Sequence, residues 1–317
     1  MNFQQLRAVR ETLRHNLNLT VAAEHLFTSQ PGVSKQIREL EDELGVPIFV
    51  RKGKRFTGLT EAGERVVVVI DRLLAEADNL KRVASELTSG DSGELTIATT
   101  HTQARYALPE VVTEFKRAHP NVHLTLAQGN PSQVARMVLD GIADVGIATE
   151  SVDGYPGLLA LPGYIWTHMV VKPHDHPLTR DKTLTLEAIA RFPIVTYELG
   201  FTGRAHLDAA FAARGLKPDI VIAAIDADVI KTYVELGMGV GIVASMAYDP
   251  ARDRNLTAID ARHLFASNMT RVAIRRGAFL RGFTYDFIQR FAPPLTRKMI
   301  EQALAERGPA SSSDYEL

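Results

Sequence analysis

The chain has 317 residues, 45% of them hydrophobic and 23% charged, with a formal net charge of −1. This length predicts two or three domains, and the near-neutral charge gives no global preference for a polyanionic partner. Because the chain contains no cysteine, disulfides, thiolate nucleophiles and cysteine-ligated metal sites are excluded. The first residues lack the apolar segment of a secretory signal, and no apolar run is long enough to span a bilayer. We therefore expect a cytoplasmic protein.

The first 58 residues have the pattern of three short helices followed by a basic hairpin. Apolar residues recur at helical spacing in three successive segments as far as Leu44, and Ser29 is a suitable N-cap for the third helix. Glycines and β-branched residues then predict a small hairpin at 45–60. Residues 1–58 carry nine lysines and arginines against six acids, so the positive charge of the chain is concentrated here.

The third predicted helix has a polar face that suits contact with DNA. If Val33, Ile37 and Leu40 point into the core, the polar residues between them share the outward face. Glutamine can pair with adenine, arginine with guanine, and serine or lysine with phosphate. Such a face is often merely solvated, but here it accompanies a short turn and a basic hairpin. We predict that double-stranded DNA contacts Thr28, Ser29, Gln30, Pro31, Ser34, Lys35, Arg38, Arg51, Lys52, Lys54 and Arg55.

A long helix with a heptad pattern follows at about 60–87. Its apolar residues are spaced alternately four and three apart, as in the seam of a coiled-coil dimer, and the segment would be roughly 42 Å long. The alternative is a helix that lies along a core of its own chain. The predicted dimer seam consists of Val66, Ile70, Leu73, Ala77, Leu80, Ala84 and Leu87. The segment 88–93 then breaks the helix and indicates a hinge-like linker.

Beyond residue 93 short apolar strands alternate with helices, the first of which is predicted at 103–118, and the alternation restarts near residue 164. This order predicts two βαβ lobes with mostly parallel sheets, with a last strand and helix that could return to the first lobe. We therefore expect an N-terminal all-α winged helix-turn-helix, a long linker helix and a two-lobed α/β domain. The expected boundaries are 1–58 for the winged unit, 59–89 for the linker helix and 90–317 for the α/β domain, with lobe I at about 93–163 and 268–295 and lobe II at about 164–267.

Polar residues gather at the ends of strands in both predicted lobes. In open α/β sheets ligands bind beyond the carboxyl ends of the strands, so residues at these junctions can share one crevice. Hydroxyls, an amide and helix N-terminal N–H groups can bind an oxyanion without a full counter-charge. Taken singly, each threonine would more often be a helix cap, and Trp166 would more often be a core residue. The candidates are Thr100, Thr102, Gln103, Thr149, Trp166 and Thr202.

The segment 22–63 closely resembles the winged helix-turn-helix of LysR-type transcriptional regulators. It contains an alanine pair, Ser-Gln-Pro, Ser, Leu-Glu, Gly, Phe-x-Arg and Thr-x-x-Gly at the spacing usual in that family, with Gly32 where alanine is more common. The resemblance implies a linker-helix dimer, a tetramer built as a dimer of dimers, and a two-lobed effector domain like periplasmic binding proteins. It also implies promoter DNA and RNA polymerase as partners.

Five further segments look like the CysB and Cbl subgroup of that family: 98–109, 148–150, 201–204, 225–250 and 285–297. The subgroup resemblance implies an activator of sulfur assimilation and cysteine biosynthesis genes, or alternatively a Cbl-like regulator of sulfonate use. It implies an anionic or acetylserine-type effector, with sulfate, thiosulfate, adenylyl sulfate, O-acetylserine and N-acetylserine as candidates. By matching positions it assigns effector binding to Thr100, Thr102, Gln103, Thr149, Trp166 and Thr202.

Two other classes of protein remain as alternatives. An enzyme would need a catalytic constellation, but Thr100 and His101 have no visible acid partner, and the sequence lacks a G-x-S-x-G elbow, a metal-spaced histidine pair and a phosphate-binding loop. The DNA-reading segment and the lack of a signal peptide argue against a stand-alone solute-binding protein. We therefore expect no catalytic residues, no metal ligands, no cofactor and no membrane partner.

Overall fold

The computed structural model describes residues 1–53, 55–89, 92–178, 183–201 and 203–305. The chain divides into two compact units, Met1–Leu87 and Thr88–Leu317. In the part of the chain that is described, no helix is both long and apolar enough to cross a membrane.

The first unit, hereafter the reader, is a small helical bundle with a two-stranded wing. Side-chain oxygens of Asn2, Asn18 and Ser29 accept hydrogen bonds at the starts of its first three helices, which satisfies N–H groups that have no intrahelical partner. Gly45, at φ 72°, ends the third helix in the left-handed conformation that glycine tolerates best. The elements are α1 Phe3–Arg14, α2 Leu19–His25, α3 Gln30–Leu44, β1 Phe49–Lys52, β2 Arg55–Leu59 and α4 Glu61–Ser89.

The long helix α4 covers the reader's core with its first half. Ile70 and Leu74 are buried together with apolar residues of α1 and α3, and Val66 packs against the same cluster. By contrast Leu80 and Leu87 are 71% and 83% exposed. Val66 and Ile70, both predicted on the dimer seam, therefore pack against the core of their own chain, because the winged bundle needs an apolar face of α4 to close it.

The first lobe of the second unit is a five-stranded sheet with helices on both faces. Its strand order is β4-β3-β5-β12-β6, where β3 is parallel to β4 and β5, and β12 is antiparallel to β5 and β6. Successive side chains of a strand point to opposite faces of the sheet. Leu95 and Ile97 therefore pack under α5 and α10, whereas Ala98 packs under α6 on the other face. The strands are β3 Gly93–Thr99, β4 Val122–Gln128, β5 Val145–Thr149, β6 Leu158–Trp166 and β12 Asn268–Arg275, and the helices are α5 Leu108–Ala118, α6 Pro131–Leu139, α10 Gly282–Phe291 and α11 Arg297–Ala305.

The second lobe is a five-stranded sheet in the order β11-β7-β10-β8-β9. One face packs on α8 through Leu207 and Phe211, and the other packs on α9 through Ile230 and Val234. The elements are β7 His168–Pro173, α7 Leu186–Ile189, β8 Ile194–Tyr197, α8 Arg204–Ala213, β9 Ile220–Ala224, α9 Ala227–Glu235, β10 Val240–Ala244 and β11 Leu256–Asp260. Short 3-10 segments lie at Glu150–Gly154 and Ser245–Ala247.

These observations confirm the predicted fold class and correct two details within it. Both sheets are mixed and not mostly parallel, because the chain passes between the lobes on β6 and β7 and returns on β12, and these strands run against their neighbours. The helix expected to run unbroken through 103–118 begins as a π-helix at Gln103–Ala107 before α5 starts at Leu108. Such π segments interrupt regular helices, frequently at functional sites.

Candidate functional site

The outward face of α3 is polar and exposed. Val33, Ile37 and Leu40 are fully buried, and the side chains between them point away from the core. Of the predicted DNA contacts on the preceding turn and on this helix, Ser34 is half-buried. The others are exposed: Thr28, Ser29, Gln30, Pro31, Lys35 and Arg38. This single surface combines bidentate side chains with the N-terminus of a helix, as base and phosphate contacts require.

The wing extends this polar surface with two exposed cations. Lys52 and Arg55 are paired directly across β1 and β2 and both are exposed. Lys54, also predicted to contact DNA, lies outside the described residues. The two exposed cations are suited to phosphate contacts, which position a protein on a duplex without reading its sequence.

Arg51 is engaged within the reader, and its predicted phosphate contact stays a prediction. Its Nη2 donates to Glu41 Oε2 at 2.5 Å, and its guanidinium lies 4.7 Å from the centre of the Phe56 ring. Glu41 Oε1 also accepts from the backbone N–H groups of Ile48 and Phe49, at 2.8 and 3.0 Å. The buried carboxylate therefore ties the wing to α3, and Arg51 is engaged in this network.

Phe27 was not predicted to have a role, yet it is 97% exposed on the turn before α3. Its φ is +52°, a conformation that bulky residues rarely adopt. Nothing in the sequence predicts this exposure, because a phenylalanine between two amphipathic helices would ordinarily be assigned to the core.

The junction after β3 is buried and joins three strands of the first lobe. Thr100, Thr102 and Gln103 are each no more than 2% exposed. The amide of Gln103 donates to Thr270 Oγ1 at 3.2 Å and accepts from the Tyr164 hydroxyl. Burial raises the pKa of Tyr164 to about 12, so this phenol remains a donor. Gln103 is thereby held in one orientation.

Thr149 lies beside this junction. It ends β5, is 8% exposed, and pairs in register with Thr270 on β12. Thr270 is the residue that accepts from Gln103. The structure thus brings Thr149 and Gln103 to neighbouring positions through a strand that is distant in sequence.

Thr102 faces the second lobe. Its side chain lies beside the Tyr197 phenol at the end of β8, and that phenol accepts from the N–H of Ala244 at 3.2 Å. Burial raises the pKa of Tyr197 to about 12. Tyr197 was not among the predicted site residues, and it marks the point where the two lobes meet.

The crossover between the lobes provides further polar groups. Trp166 ends β6 opposite Asn268 at the start of β12, and its ring lies 5.2 Å from that of His168. Gly203 is the N-cap of α8 at φ 69°, and a Cβ there would lie 2.6 Å from Asn268 Oδ1 and 2.8 Å from His168 Nε2. Asn268 and His168 therefore approach the N-terminus of α8. Thr202, the predicted site residue that precedes Gly203 in the sequence, lies outside the described residues.

A polar contact between the lobes, hereafter the interlobe link, continues from the same junction. Arg105 Nε and the Tyr106 hydroxyl, both on the π-helix, donate to the Asp228 carboxylate of α9 at 3.0 and 2.7 Å. Burial tends to raise the pKa of Asp228, but the hydrogen bonds from Tyr106 and Arg105 outweigh it and lower that pKa below its ordinary value. The π-helix therefore carries Gln103 of the anion-binding candidates and two residues that bind the other lobe.

Comparison with known proteins identifies the family. Residues 3–64 match the family described as bacterial regulatory helix-turn-helix protein, lysR family, and residues 88–295 match the LysR substrate binding domain. The chain is 58% identical to the transcriptional regulator SsuR of Burkholderia cenocepacia over 96% of this chain and 99% of that protein. It is 54% identical to CysB of the same organism over the full length of both.

A solved structure agrees with these relationships. The cofactor-binding domain of the Cbl transcriptional regulator is 46% identical, with a TM-score of 0.66, and the match covers 68% of this chain and 94% of that domain. Together with the reader, the long helix and the two-lobed second unit, these matches show that the chain belongs to the LysR family of bacterial transcriptional regulators.

Proposed function

We propose that the protein activates genes of sulfur assimilation and cysteine biosynthesis under the control of a small anionic effector bound between the two lobes. The observation that supports this most directly is the buried junction after β3, where Gln103 donates to Thr270, the register partner of Thr149, and Thr102 lies beside Tyr197 of the second lobe. Hydroxyls, an amide and helix N-terminal N–H groups bind oxyanions by hydrogen bonding. The similarity to CysB and Cbl supports a sulfur-related regulon.

The candidate effectors are sulfate, thiosulfate, adenylyl sulfate, O-acetylserine and N-acetylserine. Calorimetric titration of each into the full-length protein tests the proposal, and the expected result is saturable binding of at least one. Absence of binding by all five would refute the anionic effector site.

The similarity to SsuR and Cbl keeps a second role open, a Cbl-like regulator of sulfonate use responding to sulfate or adenylyl sulfate. Preferential binding of these two ligands would favour that role.

The relatives support a regulator over an enzyme or a solute-binding protein, since each is named as a transcriptional regulator.

We further propose a dimer through the exposed part of the predicted seam, and a dimer of dimers that contacts RNA polymerase on promoter DNA. Leu73, Leu80 and Leu87 are 41%, 71% and 83% exposed, which leaves them accessible to a second copy of the helix. Burial of leucines in such a seam stabilises coiled-coil dimers.

Replacing Thr102 with alanine is expected to weaken effector binding by about 10- to 100-fold, because one hydrogen bond to a charged group contributes about 1.5–3 kcal/mol. DNA binding without effector should be unchanged. The measurement is calorimetric titration with whichever of the five effectors binds the wild type. The control is Thr113→Ala, at an exposed position on α5, which should bind as the wild type does. Equal affinities for wild type and Thr102→Ala would remove Thr102 from the site.

Replacing Arg38 with alanine is expected to weaken specific DNA binding by about 1–3 kcal/mol and to relax base preference at one position. The probe is a duplex selected by the wild-type protein from a random library, and affinity is measured by fluorescence anisotropy at fixed salt. Lys35→Ala should instead weaken the binding of all DNA sequences by a similar factor and reduce the salt dependence of the affinity. Arg65→Ala, at an exposed position on α4, is the control. Unchanged affinity and base preference for Arg38→Ala would show that α3 does not read the bases as proposed.

A further inference from the structure

The first residue of β12 holds a buried carboxamide without a hydrogen-bond partner among the described residues. Asn268 is 1% exposed, and neither its Oδ1 nor its Nδ2 is hydrogen-bonded to any of them. Buried polar groups are nearly always paired, because an unpaired one loses its hydration without replacement. An amide in this state is therefore a candidate for contact with a ligand.

The amide is directed at the start of a helix. Asn268 Oδ1 would lie 2.6 Å from a Cβ at Gly203, so the amide approaches the backbone at the N-cap of α8 closely. The α8 helix has ten residues, and at its start the N–H groups of Arg204 and His206 donate to the carbonyls of Phe201 and Gly203 at 3.0 and 3.1 Å. Gly203 allows this approach both by its lack of a side chain and by its φ of 69°.

A second buried group in the same place is also unpaired. Trp166 is the register partner of Asn268 across β6 and β12, it is 4% exposed, and its indole Nε1–H has no hydrogen-bond acceptor among the described residues. An indole N–H and helix N-terminal N–H groups are donors only, and they suit an anionic oxygen. Asn268 differs from them because its Oδ1, the atom nearest Gly203, accepts, while its Nδ2 is a further donor.

The acceptor has a consequence for selectivity. A fully ionised sulfate offers acceptors alone and cannot satisfy Asn268 Oδ1, whereas a molecule with an N–H or O–H group can. We propose that Asn268 is a specificity residue that favours effectors with both an anionic group and a hydrogen-bond donor over bare oxyanions. This inference rests on the proposed effector site between the lobes. It adds to that site a donor-recognising position that the anion-binding threonines do not supply.

The test compares two substitutions against two ligands. Asn268→Leu removes both polar atoms at similar size, and Asn268→Asp keeps an acceptor. Calorimetric titration of full-length protein with N-acetylserine, which carries a carboxylate, an amide N–H and a hydroxyl, is compared with titration of sulfate. We expect Asn268→Leu to lose at least tenfold in affinity for N-acetylserine and less than threefold for sulfate. Asn268→Asp should weaken sulfate binding more than N-acetylserine binding, because its charge repels both but its oxygen still accepts from the donor.

A matched ligand isolates the contact. N-acetylalanine lacks the hydroxyl and N-acetyl-N-methylserine lacks the amide N–H, and one of them should bind wild type and Asn268→Leu with similar affinity. The melting temperature of ligand-free Asn268→Leu should be no lower than that of the wild type, since no internal hydrogen bond is lost. An equal loss for N-acetylserine and sulfate, or no loss for either, would overturn the inference. If Thr102→Ala still loses binding in that case, the effector site stands. A wild type that binds neither N-acetylserine nor sulfate overturns the inference, and the proposed function fails as well only if the other three candidate effectors also do not bind.

Discussion

Replacing Glu41 with alanine is expected to lower the free energy of unfolding of the reader by about 3 kcal/mol, in the range found when one partner of a buried ion pair is removed. The Glu41 side chain is 9% exposed and accepts from Arg51 and from the N–H groups of Ile48 and Phe49. Without the carboxylate, these two buried N–H groups lose their acceptor and Arg51 loses its counter-charge. The measurement is the unfolding transition of the reader in differential scanning calorimetry of the full-length protein.

Two variants make this prediction specific. Asp42→Ala removes the exposed carboxylate next in sequence, and a surface change of this kind should shift stability by less than about 0.5 kcal/mol. Glu41→Gln keeps one acceptor oxygen for the backbone and should cost less than Glu41→Ala. Equal stability of the Glu41 and Asp42 alanine variants would contradict the network assigned to Glu41.

The reader could be predicted well because its signals are local. The apolar stripe of α3 and the N-cap Ser29 lie within one segment, and the structure has both as expected. The ion pair of Arg51 could not be predicted, because an arginine on a basic wing has the same sequence pattern whether or not it also binds a carboxylate of its own chain. Its partner Glu41 lies on α3, and only the folded wing places the two side chains together.

The candidate site in the second unit could likewise be predicted only where its residues lie within one local sequence pattern. The position of Thr100 and Thr102 after β3 follows from the alternation of strands and helices. Asn268 could not be predicted, because it reaches the site on β12, more than 160 residues beyond Thr102 along the chain. The mixed sheets have the same origin: strand direction depends on where the chain crosses between lobes, and hydrophobic periodicity carries no information on direction.

The seam of α4 shows a further limit. A helix that serves both its own core and a partner must have two apolar faces, and the heptad pattern does not separate them. Val66 and Ile70 face the reader's core, whereas Leu80 and Leu87 are exposed on the same helix. The intrachain alternative therefore holds for the first half of the helix, and the dimer seam stays a prediction for the exposed second half.

Lys231 is expected to be the most sensitive charged position of the second lobe. Its ammonium donates to Asp253 Oδ1 and Oδ2 at 2.9 and 3.1 Å and to the carbonyl of Ala247 at 2.8 Å. It also lies 3.4 Å from Asp228, the acceptor of the interlobe link. The side chains of Lys231 and Asp253 are 8% and 9% exposed. Lys231→Met should therefore lower the free energy of unfolding of the second unit by about 3 kcal/mol, because Asp253 is left buried and unpaired.

The double variant separates loss of charge pairing from loss of packing. Lys231→Met combined with Asp253→Asn leaves no unpaired ion between the two positions and should recover at least half of the lost stability, since neutral or apolar replacements of a buried pair are often well tolerated. Lys217→Met, at an exposed position before β9, controls for the substitution itself. Stability is measured by urea denaturation followed by the fluorescence of Trp166, which lies in the same core as α9. A double variant no more stable than Lys231→Met alone would show that the ammonium acts through Asp228 and the interlobe link and not through Asp253.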